Sequence, residues 1–232
     1  QVIASVLAKK ASVGAKLVII DLPLGEGAKV NTRKKAEDMG KKFVEVGRRL
    51  GMKVKAVITD ANEPCGNAFG AALEAKNVLE ILEGKYFDKV AEKSCEIAGL
   101  LLEMSGKARK GTGKKIAIEA LKSGKALKKM QEIIKAQGAR ILKSSDIPKA
   151  QCIFAARAKK HGKIAGLRVR KLIKTARIAG APADRLSGVL VLVEKNQAVK
   201  KGQAIFEIHS ENQQKLCLAK KYAMHNDPIE IK

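Results

Sequence analysis

The chain has no tryptophan, and aromatic residues make up only 3% of its 232 residues. Any core must therefore be aliphatic. A base-stacking nucleic-acid module also lacks its platform, because such modules interleave aromatics with positive charge. Cysteine is sparse and scattered. Cys65, Cys95, Cys152 and Cys217 form no C-x-x-C pair, and His161, His209 and His225 show no metal spacing. That argues against a zinc site or a disulfide frame and fits reduced thiols in a cytoplasmic protein. No apolar run approaches the length of a membrane span and no signal peptide is visible, so no membrane partner is expected. Acidic residues are the other shortage. Against 47 Lys+Arg there are 23 Asp+Glu, a formal net charge of +24. Such a field draws anions, including phosphate esters. The lysines are spread along many segments, which reads as a solvated surface rather than a nucleic-acid stripe.

The apolar pattern is informative where composition is not. Residues 2–13 read as a helix stopped at Gly14. Residues 16–22 form a nearly continuous apolar run, the pattern of a strand covered on both faces. Thr32 precedes a periodic helix to Leu50, with Ala36, Met39, Phe43, Val46 and Leu50 inward. Residues 54–59 read as a second buried strand, and 71–82 as a helix after the loop DANEPCGNAFG. Strand, helix, strand, helix implies a parallel α/β sheet. Helical pieces are expected over 87–104, 113–122 and 125–137, and a basic helix over 169–179. Alternation with turns at Asn196-Gln197 and Gly202 marks a different texture beyond residue 151. The fold class expected is α/β, a parallel or mixed sheet with helical layers. A smaller C-terminal α+β, barrel-sandwich-like domain follows over 151–232, with the boundary near 144–150.

Three signals tempt a functional reading. GKARKGTGKK (106–115) suggests a phosphate loop, but Ala108 stands where the first glycine is needed and Lys115 where Ser or Thr is needed. A plain basic loop is expected. The stretch 188–209 resembles the hairpin of a biotinyl or lipoyl carrier. At the place of the modified lysine, however, the chain reads HSENQ (209–213), so swinging-arm chemistry is not expected. Asp21, Asp60 and Glu63 fall at strand ends, where α/β sheets place their sites. Asp60 could serve as a general base, but an Asx turn is favoured. Ser5 and Lys9 are four residues apart, on one face of the first helix.

Five blocks in order carry a resemblance. They are ASVLAKKASVGAKLVIIDLPLGEGAKV, VGRRLGMKVKAVITDANEPCGNAFGAALEAKNVLEIL, AGLLLEMSG, SGKALKKMQEIIKAQG and IAGAPADRLSGVLVLVEKNQAVKKGQAIFEIHSE. Together they resemble the thymidine and pyrimidine-nucleoside phosphorylase family, most closely its archaeal AMP phosphorylase branch. The closing DPIEI also suits that branch.

The resemblance implies a helical lobe facing an α/β lobe across a cleft. Residues 1–14 would be a remnant of the helical lobe, 15–150 a partial α/β lobe and 151–232 the C-terminal domain. It implies phosphorolysis of an N-glycosidic bond: AMP and phosphate giving adenine and ribose 1,5-bisphosphate. A pyrimidine nucleoside or thymidine substrate is the near alternative, and a non-catalytic basic RNA-binding module the distant one. Phosphate is a co-substrate, and no organic cofactor is implied. The family's base-binding Ser and Lys map onto Ser5 and Lys9. Its cation site maps onto Cys65, Ala68 and Asn77, with Asn77 in place of a carboxylate. The phosphate loop, a base-binding arginine and the proton donor would lie upstream of residue 1, so no catalytic residue is expected in this chain, and the chain alone is expected to be inactive. A homo-oligomer, dimer or larger, is implied for the longer protein.

Overall fold

A computed structural model of the chain describes residues 1–25, 28 and 30–232. Glu26, Gly27 and Lys29 of the GEGAKV motif fall outside the described residues. The chain divides into two compact units that interleave along the sequence. One comprises Gln1–Asn62 and Lys89–Ser123, the other Glu63–Asp88 and Gly124–Lys232. The single cut near 144–150 drawn from composition is a different division, because here contact groups segments that are distant in the chain.

The first unit opens with α1 (Val2–Ser12), which ends where Gly14 takes a left-handed φ of +69°. Strands β1 (Leu17–Leu24) and β2 (Lys53–Asp60) pair in parallel, Leu17 opposite Lys53 through Leu24 opposite Asp60. Helix α2 (Arg33–Arg49) connects them and starts where the Thr32 hydroxyl accepts from the Lys35 amide at 3.3 Å. Ala36 and Phe43 are buried as the periodicity predicts, and Met39 and Val46 are half-buried. Leu50 corrects the reading: it is 49% exposed. It sits one position beyond the last helical residue, where the chain turns away through Gly51 and leaves the apolar stripe behind. β1 also departs from a strand covered on both faces. Val18, Ile20 and Leu22 are buried, while Leu17, Ile19 and Asp21 on the other face are half-covered. The enclosed cluster is Leu7, Val18, Ile20, Leu22, Phe43, Met52 and Val54.

Two further helices of this unit, α4 (Lys89–Met104) and α5 (Gly113–Lys122), follow α3 (Ala71–Leu82) of the second unit in chain order. They cross where Gly99 and Gly113 bring the two backbones together. A Cβ on Gly99 would meet the Lys114 amide nitrogen at 2.3 Å, so only glycine fits.

The second unit contains β3 (Ala68–Phe69), α3 (Ala71–Leu82) and α6 (Lys125–Ala136). It continues with β4 (Cys152–Arg157), β5 (Gly162–Leu167), α7 (Val169–Ala179), β6 (Gly188–Val191), β7 (Ala198–Val199), β8 (Ala204–Ser210), α8 (Gln213–Asn226) and β9 (Ile229–Ile231). Its strands form a four-stranded sheet, β3-β6-β8-β4, and a three-stranded sheet, β7-β5-β9, with antiparallel pairings throughout. The apolar face of α7 and the buried Leu216, Ala219 and Ala223 of α8 pack into the same core, and Ile164, Leu172, Val189, Ile208 and Ala219 are fully enclosed. The HSENQ stretch is not a hairpin tip. It ends β8 and starts α8, because the Asn212 side chain accepts from the Lys215 amide at 3.0 Å and caps the helix.

Candidate functional site

Ser5 and Lys9 lie on α1 with exposed side chains. At 100° per residue they stand opposite Leu7, which has no exposed surface and pins the helix to its unit. Ile3 and Val6 flank Leu7 on the packed side. Burial of one face thus dictates that the Ser/Lys face looks outward. Among the described residues, neither side chain is held in a hydrogen bond or ion pair. Both donors are free to meet a ligand.

The β1/β2 pair carries a polar cluster that sequence reading found only in part. Asp21 is not at a strand end but is the fifth of the eight residues of β1, because the strand runs on to Leu24. It accepts from the Thr59 hydroxyl at 2.6 Å and pairs with the Lys93 ammonium at 2.6 Å. Lys93 also donates to the Thr59 hydroxyl oxygen at 3.0 Å. Asp21 and Thr59 share a face because parallel register sets Asp21 opposite Val57, two residues before Thr59. The register could have flagged Thr59. Lys93 comes from α4, more than thirty residues away, and no local pattern announces it. The triangle fixes α4 against β1 and β2 and consumes the Asp21 carboxylate, so Asp21 is not a free base.

Asp60 makes the expected Asx turn, accepting from the Asn62 amide at 3.0 Å and from the Asn62 side chain at 2.7 Å. Glu63, in the second unit, pairs with Lys195 at 2.5 Å. The 106–115 loop follows a helix, not a strand, and the Glu103 carboxylate occupies it. Its Oε1 accepts from the Gly111 amide at 2.9 Å and the Gly113 amide at 3.0 Å. An anion is already built in where a phosphate loop would hold its ligand.

Cys65, Ala68 and Asn77 all fall in the second unit. Asn77 is buried, and its amide nitrogen donates to Asn67 Oδ1 at 3.0 Å and to the Tyr86 hydroxyl at 2.9 Å. Tyr86 donates in turn to Glu80 at 3.2 Å. Burial, reinforced by the Glu80 charge, pushes the phenol up to about 12. Asn77 presents a neutral amide whose hydrogens are spent inside the protein. The donor set does not suit a cation that depends on a carboxylate, and no chemistry is routed through one.

A second polar centre sits beside it. The Ser144 amide and hydroxyl both donate to the Glu83 carboxylate at 2.7 Å, and Lys85 pairs with the same carboxylate at 2.9 Å. Chiefly through the two Ser144 bonds, with Lys85 adding to them, the acid is lowered to about 2.

With the geometry in view, comparison with known proteins is informative. An AMP phosphorylase of Pyrococcus horikoshii is 42% identical over 231 residues, covering 99% of this chain and 46% of the relative. One from Methanosarcina mazei is 39% identical over 233 residues, covering all of this chain and 46% of the relative. One from Methanococcus aeolicus is 36% identical with the same coverage. Along nearly its whole length this chain is similar to AMP phosphorylases. No protein-family model matches it. The chain spans about half the length of the curated relatives it matches. The matched stretch runs through both compact units.

Proposed function

We propose that this chain is part of a nucleotide phosphorylase that cleaves the N-glycosidic bond of AMP with phosphate, giving adenine and ribose 1,5-bisphosphate. The observation that carries the reading is the similarity, along 99% of this chain or more, to AMP phosphorylases. The α1 geometry supports it by holding Ser5 and Lys9 clear of the packed interior.

The chemistry asks for such a face. As the bond breaks, the ribose becomes oxocarbenium-like and negative charge grows on the departing base. An ammonium and a hydroxyl aimed at the base stabilise charge where it develops, and losing one such donor typically costs about 10²–10³ in rate. Lys9 supplies the charge and Ser5 the short, directional hydrogen bond. Phosphate is the nucleophile, so no organic cofactor enters. The exposure of both side chains is consistent with a site completed by residues other than those packed around α1.

The test supplies phosphate with AMP, CMP, uridine or thymidine and measures free base. The chain is assayed alone and together with the part of the Pyrococcus horikoshii relative that the match leaves uncovered. Release of adenine from AMP by the combined polypeptides supports the proposal. Release of base from nucleosides but not from nucleotides contradicts it.

A further inference from the structure

The unit with the antiparallel sheets has a cavity of its own, about 540 Å³, where the end of β4, the start of α7, the end of α8 and β9 meet. That volume suits a small organic ligand. Its floor is apolar: Ala156, Phe206, Ala223 and Ile229 are buried beneath it. Its rim is cationic, with Arg157, Lys159, Lys160, Arg168 and Lys171 facing only two carboxylates, Asp227 and Glu230.

The pairings decide how much charge is left over. Lys159 pairs with Asp227 at 3.1 Å and Arg168 with Glu230 at 3.1 Å, so each carboxylate cancels one cation. Arg157 donates to the Gly202 carbonyl at 2.9 Å and Lys171 to the Asn226 carbonyl at 2.6 Å. A neutral carbonyl fixes the position of a charged head without cancelling it. Lys160 has no ion pair among the described residues. Three cationic side chains, Arg157, Lys160 and Lys171, thus line one hollow without an ion pair among the described residues. The start of α7 adds to the cost. Its opening residues include Arg168, Arg170 and Lys171 with no acid in the first turn, although a helix N-terminus repels cations. An anion in the hollow would relieve both repulsions at once.

We infer that this cavity binds a phosphate monoester with a compact apolar body, of mononucleotide size. The phosphate sits among Arg157, Lys160 and Lys171, and the body covers the Phe206 and Ile229 floor. Sugar phosphates share the anionic half of this chemistry but not the apolar half. The inference does not rest on the phosphorylase reading, since the site is in a different unit from Ser5 and Lys9.

Isothermal titration of the whole chain with AMP, ribose 5-phosphate, adenosine and single-stranded RNA oligomers tests it. Lys9→Ala serves as the background, so that binding at α1 is not what is counted. The expected result is one AMP site per chain, weaker binding of ribose 5-phosphate and none of adenosine. Lys160→Glu and Lys171→Glu should each weaken AMP at least about tenfold. Lys171→Glu also removes the bond to Asn226. If that variant loses its native circular dichroism, the exposed Lys160 still decides the matter. Equal binding of adenosine and AMP would overturn the inference. So would no binding of AMP, or unchanged affinity in a folded Lys160→Glu. Affinity that climbs with RNA length past that for AMP would instead mark an RNA surface and overturn it too.

Discussion

Among the described residues, the unit built on β1 and β2 encloses an apolar cluster of seven residues, whereas the unit built on the antiparallel sheets encloses one of seventeen. The first carries the Ser5/Lys9 face on a helix held down through Leu7, Ile3 and Val6. The second carries its charge surplus on the rim of a dense, mostly aliphatic core. In a small cluster each member excludes a larger share of the water, so single residues matter more and neighbouring elements open more readily. The difference teaches that the proposed base-binding face belongs to the more lightly anchored part of the molecule.

The sharpest way to break this contrast is to hollow each core. Phe43→Ala in the first unit should cost about 3–5 kcal/mol, and Ile208→Ala in the second about 2–5 kcal/mol. Hydrogen exchange should show each loss concentrated in the residues of its own unit. Uniform loss across both would erase the contrast. Next in size is Gly99→Ala, where the added methyl collides with the α5 backbone. A loss of about 1–3 kcal/mol in denaturant melts is expected, confined to α4 and α5. A neutral result would mean that the two helices are free to separate.

The third prediction concerns acid. Glu83 is lowered from an ordinary 4.5 to about 2, so its contribution is fully present above pH 4.5 and disappears as pH falls toward 2. Replacing Glu83 with Gln should cost on the order of 2 kcal/mol at neutral pH. It should also flatten the stability of the second unit across that acid window. An unchanged slope would show that the Ser144 bonds do not hold the carboxylate ionised. The smallest effect is expected at Lys9. Lys9→Ala should change folding stability by less than about 0.5 kcal/mol, because the side chain is exposed and holds no partner. A large loss would make Lys9 a structural residue.

Much of this contrast is legible in the sequence. Helix α3 falls on residues 71–82 as the pattern predicts, and the basic helix α7 on 169–179, because apolar periodicity and flanking glycines punctuate both. The Ser5/Lys9 face is legible because i, i+4 spacing and a single inward leucine need no tertiary knowledge. Other features were not. α8 has apolar and charged residues mixed around its circumference, so no stripe advertises it, and its cap Asn212 hides in HSENQ. Lys93 joins Asp21 and Thr59 only through tertiary packing. The cationic hollow draws on four separated segments, and a charge spread evenly along the chain gives no sign of where it will gather.

The measurement closest to the central claim is AMP phosphorolysis by the combined polypeptides with wild-type chain and with Lys9→Ala. The account predicts that turnover falls about 10²–10³-fold, while thermal unfolding of the variant is unchanged. Turnover within twofold of wild type would contradict it and remove the α1 face from the site.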